Sequence, residues 1–144
     1  MANIVPNSFK GDLLKGVFNF DSSGGSTFYC ALYTSLAGFS TSTTTYTGTS
    51  NEVGTSGTNY STGGNVMTNF GVTVGTTSYV DFDDVTFSSV TLSAVGALIY
   101  KDSVNKEAVL VLDFGGTKTA TNGDFVIQFP NADASNAIIR LGDA

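Results

Sequence analysis

Histidine and tryptophan are absent from all 144 residues, and cysteine occurs once. Histidine is the side chain best placed to exchange protons near neutral pH, and the commonest metal ligand. Its absence removes most routes to catalysis and leaves a carboxylate-dependent hydrolase as the remaining enzymatic reading. The lone Cys30 excludes an intramolecular disulfide framework. It alternates with Phe28 and Leu32, the pattern of a small buried apolar residue rather than a nucleophile. Charge is scarce too: charged residues make up 12% of the chain, about half the usual share. Twelve carboxylates face five lysines and Arg140, for a net charge of −6. No cluster of Lys and Arg is present to displace counterions from a phosphate backbone or to hold an anionic bilayer, so neither nucleic acid nor membrane is expected as a partner. No apolar run approaches the roughly 20 residues of a membrane span. The opening Met1-Ala2-Asn3-Ile4-Val5-Pro6 lacks the charged and apolar blocks of a signal peptide, which predicts folding in a cytoplasm.

What is present is a folded chain: hydrophobic residues make up 41%, the reverse of a disordered composition. The length predicts one globular domain, with an arm and short helix over 1–20 and a β domain over 21–144. Pro6 disfavours helix before it, so residues 2–7 read as an extended arm. Ser8 is placed to cap a two-turn helix carrying Leu13, Leu14 and Val17 at helical spacing. Asp21-Ser22-Ser23-Gly24-Gly25 is a turn. Thr27 to Thr34 is apolar on both faces, hence a central strand. Residues 35–64 have almost no aliphatic side chains beyond Leu36 and Val53 and read as a long loop or short edge strands, a type of segment that is usually functional or mobile. Short strands are predicted over 66–74, 78–82, 85–87, 90–100, 108–114, 125–129 and 137–141. Gly96 marks a bulge or close approach, and Asn122-Gly123 a hairpin turn. About eight strands with one early helix predict an all-β sandwich or jelly roll.

Few motifs carry chemistry. Asp81-Phe82-Asp83-Asp84 has the oxygen ligands calcium prefers but not the loop spacing, so a turn and solvated edge is the better reading. Asp113-Phe114-Gly115 spells a kinase magnesium triplet without any other kinase element, and is read as a strand end entering a turn. Gly115-Gly116-Thr117-Lys118-Thr119 lacks phosphate-loop spacing. Tyr46, Tyr60 and Tyr79 have rings that can stack on sugars, but packing is their commoner use. No catalytic, cofactor or metal residue is assigned. Ile4, Val5, Pro6 and Phe9 form an apolar arm that either covers its own sheet or docks on a neighbouring chain by strand addition.

Three blocks carry a resemblance. The first is Met1 to Lys10 with Leu13-Leu14-Lys15-Gly16 and the Phe28-to-Thr34 strand. The second is Asn51-Glu52-Val53 with Tyr60-Ser61-Thr62-Gly63-Gly64. The third is Gly96-Ala97-Leu98-Ile99-Tyr100-Lys101-Asp102 with Asp113-Phe114-Gly115-Gly116. Together they resemble small structural proteins of tailed bacteriophages, most of all head decoration (cement) proteins. The resemblance implies a jelly-roll-like, homotrimeric, non-enzymatic virion protein on the capsid exterior, bound to the major capsid protein, with no cofactor. The alternative it leaves is a tail or fibre component that recognises a host-surface glycan, with 35–64 as its variable surface.

Overall fold

The computed structural model describes residues 2–48 and 51–143. Among them are one helix, α1 (Asn7–Leu14), and seven strands: β1 (Phe28–Tyr33), β2 (Asn65–Val66), β3 (Asn69–Thr73), β4 (Ser78–Phe82), β5 (Val85–Lys101), β6 (Ala108–Ile127) and β7 (Ile139–Leu141). They form two antiparallel sheets, a four-stranded one in the order β2-β1-β5-β6 and a three-stranded one in the order β3-β4-β7. This is an all-β sandwich with a short N-terminal helix.

The helix starts differently from expectation. Pro6 holds the N-cap position with no side-chain cap; its fixed φ and missing N–H suit a helix start. Ser8 lies within the first turn and donates instead to the Thr43 carbonyl at 3.2 Å. At the other end Gly16, at φ 75°, lets its own amide reach the Leu13 carbonyl and that of Val17 the Asp12 carbonyl. That paired closure leaves Val17 outside the helix.

β1 is central, as its two apolar faces predicted, with β2 on one side and β5 on the other. The faces feed two separate cores. Phe28, Cys30 and Leu32 join the inner core with Phe9, Phe18, Phe20, Phe82 and the inner faces of both sheets. Rings there pack closely, Phe20 stacked on Phe28 at 4.8 Å and Phe9 tilted against Phe18 at 5.0 Å, which adds about 0.5–1.5 kcal/mol per pair to the burial itself. Ala31 and Tyr33 join a smaller outer core with Leu36, Leu98, Tyr100 and Val111. The 35–64 segment supplies part of the cover of that outer face: Leu36, Phe39 and Tyr46 pack on it, and isolated bridges join Tyr33 to Glu52 and Thr45 to Glu107.

The second half is less broken than its glycines and prolines suggested. The segments 85–87 and 90–100 are one strand, β5, and 108–114 and 125–129 are parts of one strand that ends at Ile127, β6. Asn122-Gly123 is therefore no hairpin turn. The register steps from Val90↔Gly123 to Leu92↔Ala120, so Thr121 and Asn122 oppose Thr91 in a bulge. Asn122, at φ 47°, is held there by Thr91, whose Oγ1 accepts from its amide at 3.0 Å and donates to its Oδ1 at 3.3 Å. The Asp113-Phe114-Gly115 triplet likewise lies inside β6 rather than at a strand end. Gly96 is a close approach: a Cβ there would stand 2.3 Å from the Leu112 carbonyl oxygen and 2.7 Å from Leu36.

Candidate functional site

The acidic cluster divides. Asp83 and Asp84 are exposed at the β4–β5 junction, and Asp84 accepts from the Phe129 amide at 2.8 Å. Asp81, expected on a solvated edge, is only 2% exposed. The chain leading into β7 passes close to it, and the nearby Ile138 amide pulls its carboxyl down. Its Oδ1 also accepts from the Phe82 amide at 2.9 Å, while Oδ2 has no hydrogen-bond partner among the described residues. No group of three or more His, Cys, Asp or Glu among the described residues is placed to hold a metal ion.

Burial raises the Asp81 carboxyl above its ordinary value, against the pull of the two amides. A carboxyl raised on folding favours the folded state below its unfolded value, and that contribution is lost as pH rises through the raised one. Asp81→Asn is therefore expected to stabilise the protein near pH 7, by about 1 kcal/mol. The advantage should shrink as pH falls toward the ordinary carboxyl range. Urea unfolding of both proteins across that interval checks it; a constant difference would show that Asp81 is not held as a buried charge.

The remaining sequence candidates are structural. Asp113 accepts from the Gly115 amide at 2.9 Å, which lowers its carboxyl below the usual range. Burial pushes the Cys30 thiol up to about 12, so it is no thiolate nucleophile near neutral pH. Tyr60 is buried and Tyr79 half-buried. Tyr46 stacks on Tyr100 at 4.3 Å, with the planes 11° apart.

Tyr46 and Tyr60 converge on a residue that sequence reasoning passed over, Glu52. Tyr46 donates to its Oε2 at 2.8 Å; Tyr60 and the Gly63 amide donate to Oε1 at 2.8 and 2.7 Å. Tyr60 Oη in turn accepts from the Leu32 amide at 3.0 Å, and Tyr100 donates to the Gly63 carbonyl at 2.7 Å. Burial raises the hydroxyls of Tyr33, Tyr46, Tyr60 and Tyr100, with the Glu52 charge acting in the same direction. They stay protonated, and those of Tyr46, Tyr60 and Tyr100 serve as donors. The network fixes the second half of the polar segment to β1 and β5. In this network the carboxylate is the shared acceptor of two hydroxyls and a backbone amide.

The arm lies along its own chain. Ile4 and Val111 exchange both backbone hydrogen bonds at 2.9 Å, and the Asp113 amide donates to Asn3 Oδ1 at 2.8 Å. Pro6 and Phe9 are buried and Ile4 half-buried, leaving Val5 exposed. Val5 borders an open apolar surface. There Leu14 and Val74 are 86% and 85% exposed, with Val72 and Leu141 also open. The surface forms two adjoining grooves of about 510 and 470 Å³ that share Leu13, Ile139 and Leu141. Val72 pairs with Val80 and so points into the sandwich; the core opens to solvent at this end. Apolar patches of this kind on single chains mark contact surfaces. Compared with known proteins, the chain matches no family model, no curated protein and no solved structure.

Proposed function

We propose that this chain is a non-enzymatic structural protein of a bacteriophage virion, a decoration protein that sits on the capsid exterior against the major capsid protein. It acts as a homotrimer and stabilises the shell. The observation that carries the reading is the open apolar end of the sandwich around Val5, Leu14, Val72, Val74 and Leu141, a surface suited to protein contact. A protein that binds the assembled shell better than its free subunits stabilises the assembly by linkage. The sequence resemblance to cement proteins supplies the partner.

The test is the position and copy number of the chain in purified virions, seen by electron microscopy. Many symmetry-related copies on the capsid exterior, with particles lacking the protein rupturing at lower temperature, are expected. A handful of copies at the tail, with binding to host polysaccharide, would overturn the decoration role.

A further inference from the structure

The open end of the sandwich includes a free strand edge. β7 pairs with β4 through Ile139↔Val80, Arg140↔Tyr79 and Leu141↔Ser78, and it is the last strand of its sheet. Its outer edge has no strand paired to it among the described residues. The register puts Ile139 and Leu141 on the core side with Val80 and Arg140 on the outer side with Tyr79. Across the 510 Å³ groove stand Leu13 and Leu14 of α1, Val5 of the arm, and Val109 and Leu110 of β6. Backbone donors and acceptors thus border an apolar trough.

Charge narrows the occupant. The chain has two carboxylates for each cation, yet the two charged residues bordering this groove are Lys10 and Arg140. Lys10 donates to Asn7 Oδ1 at 3.2 Å, and Arg140 to the Ser135 carbonyl. Asp133 feels the charge of Arg140, but its oxygens are held by the Ser135 and Asn136 amides. Neither cation has an ion-pair partner among the described residues. We propose that the groove receives an extended segment of a partner protein, apolar at alternate positions and carboxylate-bearing between them, which adds as a strand to the outer edge of β7. Alternate side chains of such a strand enter the trough, and those between stand beside Arg140. A second copy fits less well: β7 paired with itself about Arg140 sets two guanidinium groups directly opposite. Two cations also fall short of a polybasic membrane patch. The inference rests on the decoration reading only for the identity of the partner, a segment of the capsid protein.

The probe is a fluorescein-labelled ten-residue peptide alternating valine and glutamate, compared with its valine–lysine counterpart by fluorescence anisotropy against the whole chain. The glutamate peptide is expected to bind at least about tenfold more tightly, a difference that weakens at high salt. Arg140→Glu should reverse that preference. Leu14→Gln, a neutral polar change at an exposed helix position, should weaken the glutamate peptide by at least about tenfold. Equal affinity for both peptides, or a preference unmoved by Arg140→Glu, overturns the proposal. So does a concentration-dependent dimer in sedimentation that Leu14→Gln dissolves, or flotation with anionic vesicles, since each assigns the groove to another occupant. A chain that binds the glutamate peptide but is missing from virions sinks the decoration reading alone. A chain found on capsids without peptide preference sinks this one alone.

Discussion

Glu52→Ala is expected to lower the unfolding free energy by about 3 kcal/mol, because hydrogen bonds to a charged group are worth about 1.5–3 kcal/mol each and are not additive. Three donors lose their acceptor together: Tyr46 Oη, Tyr60 Oη and the Gly63 amide. Tyr60 is buried, so its hydroxyl cannot reach water without a shift of the ring that also breaks its bond from the Leu32 amide. For a chain of this size the change corresponds to a fall in Tm of about 10 °C. Glu52→Gln keeps one acceptor oxygen and should cost about half as much. Thermal and urea unfolding of the two variants measure this. Limited proteolysis of Glu52→Ala should cut first within 46–63, the stretch the network holds down. A change below about 0.5 kcal/mol would mean that the network is ornamental and that Leu36, Phe39 and Val53 hold the segment alone.

Gly64→Ala is expected to be worse, with a loss above about 4 kcal/mol, in the range reserved for a small set of severe mechanisms. A Cβ at Gly64 would lie 1.8 Å from the Cys30 carbonyl oxygen and 2.7 Å from the Ala31 Cα. Both neighbours are backbone of the central strand and cannot swing aside. The residue also sits at φ 81°, a left-handed conformation that costs an L-residue about 1–2 kcal/mol before any clash. Gly54 provides the control, since its added Cβ meets nothing within 4 Å; Gly54→Ala should be neutral or slightly stabilising. Soluble yield and urea midpoints for the two variants, made side by side, separate the local clash from a general intolerance of substitution in this segment.

The features that sequence reasoning located best are those governed by short-range pattern. β4 was placed at Ser78–Phe82 and β1 within one residue at each end, because alternation of large apolar side chains has a single cheap solution in a sheet. Gly96 was singled out for the close approach it makes. Errors came where a turn-forming residue was used for something else. Asn122-Gly123 has the composition of a tight turn, but Thr91 opposite accepts the extra residue as a bulge and the strand runs on. Asp81 follows the alternation of an exposed face, yet the approach to β7, some fifty residues later, covers it. Nothing local announces that.

Glu52 was legible in principle. It is the one acid between Asp21 and Asp81, set among Tyr46, Tyr60 and the Gly63-Gly64 pair. A lone carboxylate surrounded by hydroxyl donors is a buried acceptor awaiting its partners, but composition presented the segment as merely polar. The open apolar end was harder to see. Val72, Val74 and Leu141 are ordinary strand residues in sequence, and only the stacking of the two sheets shows that nothing in the described chain closes over them.

The central position of β1 has a consequence for how the chain comes off the ribosome. Phe28 pairs with Lys101 and Tyr33 with Gly96, so the strand that serves both cores waits for about seventy further residues before its principal partner exists. The connection between β5 and β6, by contrast, closes within residues 102–107, and their pairing needs only neighbours in sequence. During synthesis the most apolar strand is thus the one left longest without a sheet, because pairing across so many residues is slow to close. The excess of carboxylates over cations also keeps that waiting segment in a chain of net negative charge, which disfavours association between nascent copies.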